Sequence, residues 1–213
     1  MKKMNVPNRL TVLRILLVPA IIAVILIQFP FHFTVAGLLF GAAAITDAFD
    51  GKIARRDNLI TDFGKFADPL ADKILVISVL VCFVKLGLCG AIPLIIIIFR
   101  EFAVTSVRLV AASKGKVIAA NMWGKVKTVT QIIAIVTIFV LQTALDIISL
   151  AMVGWIVPNG DFYAYSWTAY YTLGTISKVF NIIGQVLMWI VAIITVISGV
   201  KYLADNKEVI SEM

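Results

Sequence analysis

Histidine occurs once in the 213 residues and cysteine only twice. Cys82 and Cys89 stand seven apart in or beside one apolar segment, without the spacing of metal ligands. A zinc site and a disulfide framework are therefore both excluded, and the two cysteines read as packing residues. Charge is scarce as well: 15% of the chain is Asp, Glu, Lys or Arg, where an average soluble protein has about 25%. There is no internal repeat and no low-complexity linker. No cleavable leader is expected: Met1 to Arg9 is polar and basic, and the apolar run after it ends in no small-residue cleavage site. What fills the chain is apolar. The hydrophobic share is 61% and the mean hydropathy +1.02, against about 45–50% apolar residues in soluble domains. This composition predicts an all-α, polytopic membrane protein with a single domain over residues 1–213.

Apolar runs near the roughly 20 residues that cross a bilayer fall at about 10–28, 33–49, 68–83, 91–110, 127–148 and 182–203, which predicts six transmembrane helices. Pro19 kinks the first, and Arg14, one turn inside it, is placed to snorkel toward the interface. Basic residues alternate between loops. Lys2, Lys3 and Arg9 precede the first span; Lys52, Arg55, Arg56 and Lys65 follow the second; Arg108, Lys114, Lys116, Lys125 and Lys127 lie around the fourth-to-fifth connection; Lys201 and Lys207 close the chain. The intervening loops carry only Lys85 and Lys178. This asymmetry puts both termini and the stretch 46–73 on the cytoplasmic side. The net charge of +7 then serves topology and anionic headgroups. With no aromatic–basic reading pattern, no nucleic acid partner is expected. His32 falls on the opposite side as an interfacial residue, which leaves no Ser/His/Asp triad. Residues 149–181 hold Pro158, Asn159, Gly160 and Asp161, then five Tyr or Trp, and read as an outer-face connection: a polar turn and a short interfacial helix.

The stretch TDAFDGKIARRDNLITDFGKFADPLADK, residues 46–73, carries four aspartates beside these apolar runs. Asp47 and Asp50 are three apart, Asp68 and Asp72 four apart, so on helices each pair shares a face. Carboxylates at a membrane boundary are costly unless a cation meets them. Four together cannot all stay ionised unaided. An oxygen-only set of this size suits Mg²⁺, Mn²⁺ or Ca²⁺ rather than zinc or copper. Two such ions could clamp a diphosphate, and an acid not used by metal could take a proton from an alcohol. Gly51 and Ala54 leave room beside the backbone, while Lys52, Arg55, Arg56 and Lys65 offer charge to phosphate. Thr61 is placed to hydrogen-bond a phosphate. Alternatively, Asp68 before Pro69 is a helix N-cap in a charged loop, and Asn8 caps the first helix.

A second cationic group follows. FREFAVTSVR opens the fourth span with Arg100, Glu101 and, eight residues on, Arg108; GKVKT brings Lys125 and Lys127. Arg100 and Glu101 pair with each other or with the aspartate site. Arg100, Arg108, Lys125 and Lys127 together would make a pocket for the phosphate of a small water-soluble acceptor.

Asp47, Asp50, Gly51, Ala54, Arg55, Gly64, Asp68 and Asp72 meet the pattern D-x2-D-G-x2-A-R-x8-G-x3-D-x3-D in full, which resembles the signature of the CDP-alcohol phosphatidyltransferases, integral membrane enzymes. The resemblance implies that fold and a dinuclear Mg²⁺ or Mn²⁺ site held by Asp47, Asp50, Asp68 and Asp72, with Asp72 as general base. It also implies that Gly51, Ala54 and Arg55 line the nucleotide of a CDP-linked lipid, that Asn8 and Thr11 of PNRLT touch its cytidine end, and that the enzyme is a homodimer. R-E-x-x-V-T-x-x-R with G-K-x-K-T is similar to the bacterial glycerol-3-phosphate branch of the family. That implies transfer of a phosphatidyl group from CDP-diacylglycerol to sn-glycerol 3-phosphate in the cytoplasmic membrane, giving phosphatidylglycerophosphate and CMP. Inositol phosphate, serine or phosphatidylglycerol are alternative acceptors. A membrane cation transporter and a non-catalytic scaffold are alternatives of other classes.

Overall fold

The computed structural model describes the backbone of residues 6–27, 29–56, 62–113, 122–155 and 162–207, and side chains for 11–27, 29–46, 70–113, 122–152 and 171–207. The described residues form six helices and no strand: α1 (Val6–Leu26), α2 (His32–Arg56), α3 (Asp62–Lys85), α4 (Ala91–Ser113), α5 (Met122–Trp155) and α6 (Phe162–Asp205). The all-α expectation is borne out. Their packing divides into two compact units, one within Met1–Phe83 and Phe139–Leu173, the other within Val84–Ile138 and Gly174–Met213.

In the first unit, α1 buries Thr11, Arg14, Val18, Ile21 and Ile25, a spacing of three and four that puts all five on one helix face. Its other face is also apolar, yet Leu13 and Leu16 are 49% and 65% exposed. α2 answers with Phe33, Ala36, Phe40 and Ala43, and α3 with Ala71, Leu75, Val79 and Phe83. Close packing and ring contacts join these faces. Phe139 of α5 supplies them: its ring lies 5.9 Å from Phe40 and 5.1 Å, edge-on, from Phe83, pairs worth about 0.5–1.5 kcal/mol each. Gly37 makes room, since a Cβ there would stand 3.3 Å from Phe139 Cβ. The α1–α2 turn closes through Phe31 at φ 63°, with the His32 amide donating to the Phe29 carbonyl at 3.2 Å.

In the second unit, the turn after α3 uses Gly87 at φ 74°, whose amide donates to the Val84 carbonyl at 3.1 Å. Gln185 of α6 donates to the Gly87 carbonyl at 3.2 Å. The neighbouring Gly184 lets α6 approach this turn so closely that a Cβ would meet the Leu88 carbonyl oxygen at 2.9 Å. Ile97 and Val104 of α4, Ala134, Ile135 and Ile138 of α5, and Met188, Val191 and Ala192 of α6 form the core.

Among the described residues, two helical stretches are long and apolar enough to cross a membrane: Met122–Met152 and Tyr171–Asp205, each with only 28% of its apolar window buried. Thr11–Leu26 and His32–Thr46 are shorter apolar helices. The aspartate stretch is more helical than the apolar runs alone indicate. α2 continues to Arg56 and α3 starts at Asp62, so Asp68 lies inside a helix rather than capping one. The 149–181 connection also differs from the expected turn plus short helix. α5 runs on to Trp155 and α6 extends unbroken from Phe162 for 44 residues. Aromatic and small residues carry helix there without the hydropathy by which a span is read. Residues 156–161, with Pro158 to Asp161, lie outside the described residues.

Candidate active site

In the first unit, Asp47, Asp50, Gly51, Ala54 and Arg55 all fall within the C-terminal half of α2, and Asp68 and Asp72 within α3. Asn8 lies near the start of α1. The side chains of Asn8, Asp47, Asp50, Ala54, Arg55 and Asp68, and Thr61 altogether, lie outside the described residues, as does the surrounding of Gly51. Lys114 and Lys116 do too. Thr11 is 1% exposed on the inner face of α1. No group of three His, Cys, Asp or Glu gathers among the described residues, a set that holds only Asp72 of the four motif aspartates.

Asp72 of α3 meets a cation of α1. Arg14 Nη1 donates to its Oδ1 at 2.6 Å, with the Arg14 side chain 1% exposed and that of Asp72 46%. Arg14 stands in register with Val18, Ile21 and Ile25, where the helix face points inward and an unpaired guanidinium would be very costly. The structure corrects the snorkelling expectation: Arg14 turns into the protein and meets an aspartate of the motif. The half-exposed Asp72 carboxylate remains reachable from solvent.

The second unit gathers the cations. Glu101 Oε1 accepts a hydrogen bond from Lys127 Nζ and lies 3.8 Å from Arg100 Nη1. Of the open pairings for Arg100 and Glu101, this unit holds the mutual one, with Lys127 added. Arg100 Nη2 also donates to Ser198 Oγ of α6 at 2.7 Å. Arg108 Nε donates to the Tyr202 hydroxyl at 3.3 Å, its guanidinium carbon 5.3 Å from the ring centroid. Lys125 and Lys127 are two apart on α5 and so face different ways: Lys127 is 2% exposed, while Lys125 is exposed. The four expected cations thus divide. Arg100 and Lys127 share the Glu101 carboxylate, Arg108 reaches α6, and Lys125 is directed outward.

Sequence reasoning missed Arg14, Ser198 and Tyr202. For Arg14 a signal existed: a cation on the apolar stripe of its helix implies an anion across from it. Ser198 and Tyr202 offer none, because an isolated hydroxyl in an apolar helix is ordinary. His32 opens α2, its Nδ1 2.9 Å from the Phe29 carbonyl and its ring against Phe33.

Residues 4–157 match the sequence model of the family described as CDP-alcohol phosphatidyltransferase. The chain is 36% identical over 216 residues to the Bacillus subtilis (strain 168) protein named CDP-diacylglycerol--glycerol-3-phosphate 3-phosphatidyltransferase, covering 96% of each. It is 34% identical over 204 residues to the Rickettsia felis protein of the same name, again covering 96% of each. A Mycobacterium tuberculosis protein named probable phosphatidylglycerophosphate synthase is 39% identical over 137 residues, 62% of this chain and 64% of that one.

Proposed function

Because the chain belongs to the CDP-alcohol phosphatidyltransferase family, we propose that it transfers the phosphatidyl group of CDP-diacylglycerol to sn-glycerol 3-phosphate, forming phosphatidylglycerophosphate and CMP. The observation that carries the acceptor is the end-to-end similarity, 36% identity across 96% of both chains, to a protein named for that substrate. A hydroxyl oxygen of the acceptor attacks the lipid-linked phosphorus. The bond to the bridging diphosphate oxygen breaks, CMP leaves with that electron pair, and Asp72 takes the hydroxyl proton. Arg14 holds the Asp72 carboxylate on α3 for that task.

The donor set of Asp47, Asp50, Asp68 and Asp72 is all oxygen, which fits hard divalent cations, and we assign it two Mg²⁺ or Mn²⁺ ions. Bound there, such ions supply neutralisation of the diphosphate and of the charge that builds on the leaving CMP. Asn8, Thr11, Gly51, Ala54, Arg55 and Thr61 bind CDP-diacylglycerol in this reading. Arg100, Arg108, Lys125 and Lys127 bind the acceptor's phosphate, and Glu101 holds Lys127 in place by a hydrogen bond. The enzyme is a multi-pass protein of the cytoplasmic membrane with six spans, both termini and the active site facing the cytoplasm, and it works as a homodimer. Loop charges support the topology, and the largely unburied apolar helices support the membrane. The test is CMP release from CDP-diacylglycerol by the purified protein. Release should require both glycerol 3-phosphate and Mg²⁺ or Mn²⁺; release indifferent to glycerol 3-phosphate would overturn the acceptor.

A further inference from the structure

Thr195, Ser198 and Tyr202 are 0%, 1% and 1% exposed, and their spacing of three and four lines them along one face of α6. Hydroxyls buried on an apolar helix are costly unless something answers them. Two of the three are answered by the arginines of α4. Ser198 Oγ accepts from Arg100 Nη2 at 2.7 Å, and the Tyr202 hydroxyl accepts from Arg108 Nε at 3.3 Å. Between them stands Gly199, where a Cβ would lie 3.0 Å from Arg100 Cγ. The missing side chain is what lets the Arg100 stem lie across α6.

Both guanidinium groups keep donors in reserve. Arg100 Nε is buried beside Gly199 of α6 and out of a ligand's reach, so its free capacity lies at the fork's tip. Arg100 Nη1 has only the 3.8 Å approach to Glu101, beyond hydrogen-bond length. Arg108 uses Nε on the tyrosine and faces the ring at 5.3 Å, which fixes the plane of its fork while both Nη groups stay unbonded among the described residues. Rigid forks with unused N–H groups are what phosphate recognition needs, and ordering them beforehand spares that cost at binding.

We infer that α6 is a positioning element of the acceptor subsite: Ser198, Gly199 and Tyr202 set Arg100 and Arg108 for the phosphate of the acceptor. This rests on the reading that those arginines take that phosphate. It assigns a role to residues beyond 157, where the family match ends.

The test is steady-state CMP release by the full-length protein, varying glycerol 3-phosphate and CDP-diacylglycerol separately. Ser198→Ala and Tyr202→Phe should each raise KM for glycerol 3-phosphate about tenfold, the weight of one hydrogen bond to a charged group, with KM for CDP-diacylglycerol unchanged. Gly199→Ala should act in the same direction, and Ser198→Thr should restore most of what Ser198→Ala loses. Arg100→Lys and Arg108→Lys run alongside as references. If these raise the acceptor KM while Ser198→Ala and Tyr202→Phe do not, the positioning role is refuted and the arginine reading stands. If neither lysine variant moves the acceptor KM, the arginine reading fails and the inference with it. A lower melting temperature with both KM values altered alike would mark α6 as structural support only, which also overturns it.

Discussion

Lys127→Met separates the structural part of the cation cluster from its part in binding. Lys127 is 2% exposed and its partner Glu101 21%. Removing one member of a buried pair costs about 3–5 kcal/mol. Glu101 keeps some contact with solvent, and Arg100 Nη1 lies 3.8 Å away, so the cost falls below that range, to about 2–3 kcal/mol. At about 2–4 °C per kcal/mol for a chain of this size, the melting temperature should fall by about 4–12 °C. Adding Glu101→Gln removes the charge that Lys127 answered and should recover part of that loss. Activity should not follow: the double variant should keep a raised KM for glycerol 3-phosphate, because the phosphate has lost a cation. Thermal unfolding in detergent and CMP release read the two effects. A single variant melting with wild type, or a double variant melting no higher than the single, would refute the pairing argument.

Arg14→Met should lower kcat about 10- to 100-fold, the usual effect of losing the partner that orients a working carboxylate. CMP release at saturating substrates checks it, and undiminished kcat would separate Arg14 from the chemistry. Asp68→Ala and Asp72→Ala should abolish CMP release, as should chelation of divalent ions, with recovery on adding Mg²⁺ or Mn²⁺; Lys114→Ala should keep most activity. Cys89, 3% exposed in the turn before α4, has its thiol pushed by burial from 9.0 to about 11. It should resist maleimide at pH 7–8 by peptide mass spectrometry. Between about pH 9 and 11 the unfolded chain releases this proton while the folded chain keeps it, so stability should fall as pH rises through that window.

The aspartate motif, the helical class and the basic character of α4 and α5 were legible because each rests on local spacing. Two things were not. Helix ends away from the apolar runs escaped, since α2 reaches Arg56 and α6 starts at Phe162 through residues whose hydropathy is mixed. Partners distant in the chain escaped too. Arg14 and Asp72 are 58 apart and Arg100 and Ser198 are 98 apart, and nothing local to a cation says which element will meet it. Lys127 is instructive in this respect. Basic residues beside spans are usually loop determinants, yet burial at 2% gives this one a carboxylate partner.

A helix of 44 residues rises about 66 Å, roughly twice the thickness of a bilayer's hydrocarbon. Even leaning by about 40°, the steepest tilt common for such helices, it would reach about 50 Å along the membrane normal. Its apolar stretch from Tyr171 to Asp205 covers 35 residues, well beyond one crossing. Within that stretch Lys178 and Lys201 bound a charge-free run of 22 residues, about 33 Å and close to one crossing, so sliding α6 along the membrane normal would draw a lysine into hydrocarbon. The two lysines should thus fix the depth of α6, with its remaining turns standing outside the hydrocarbon.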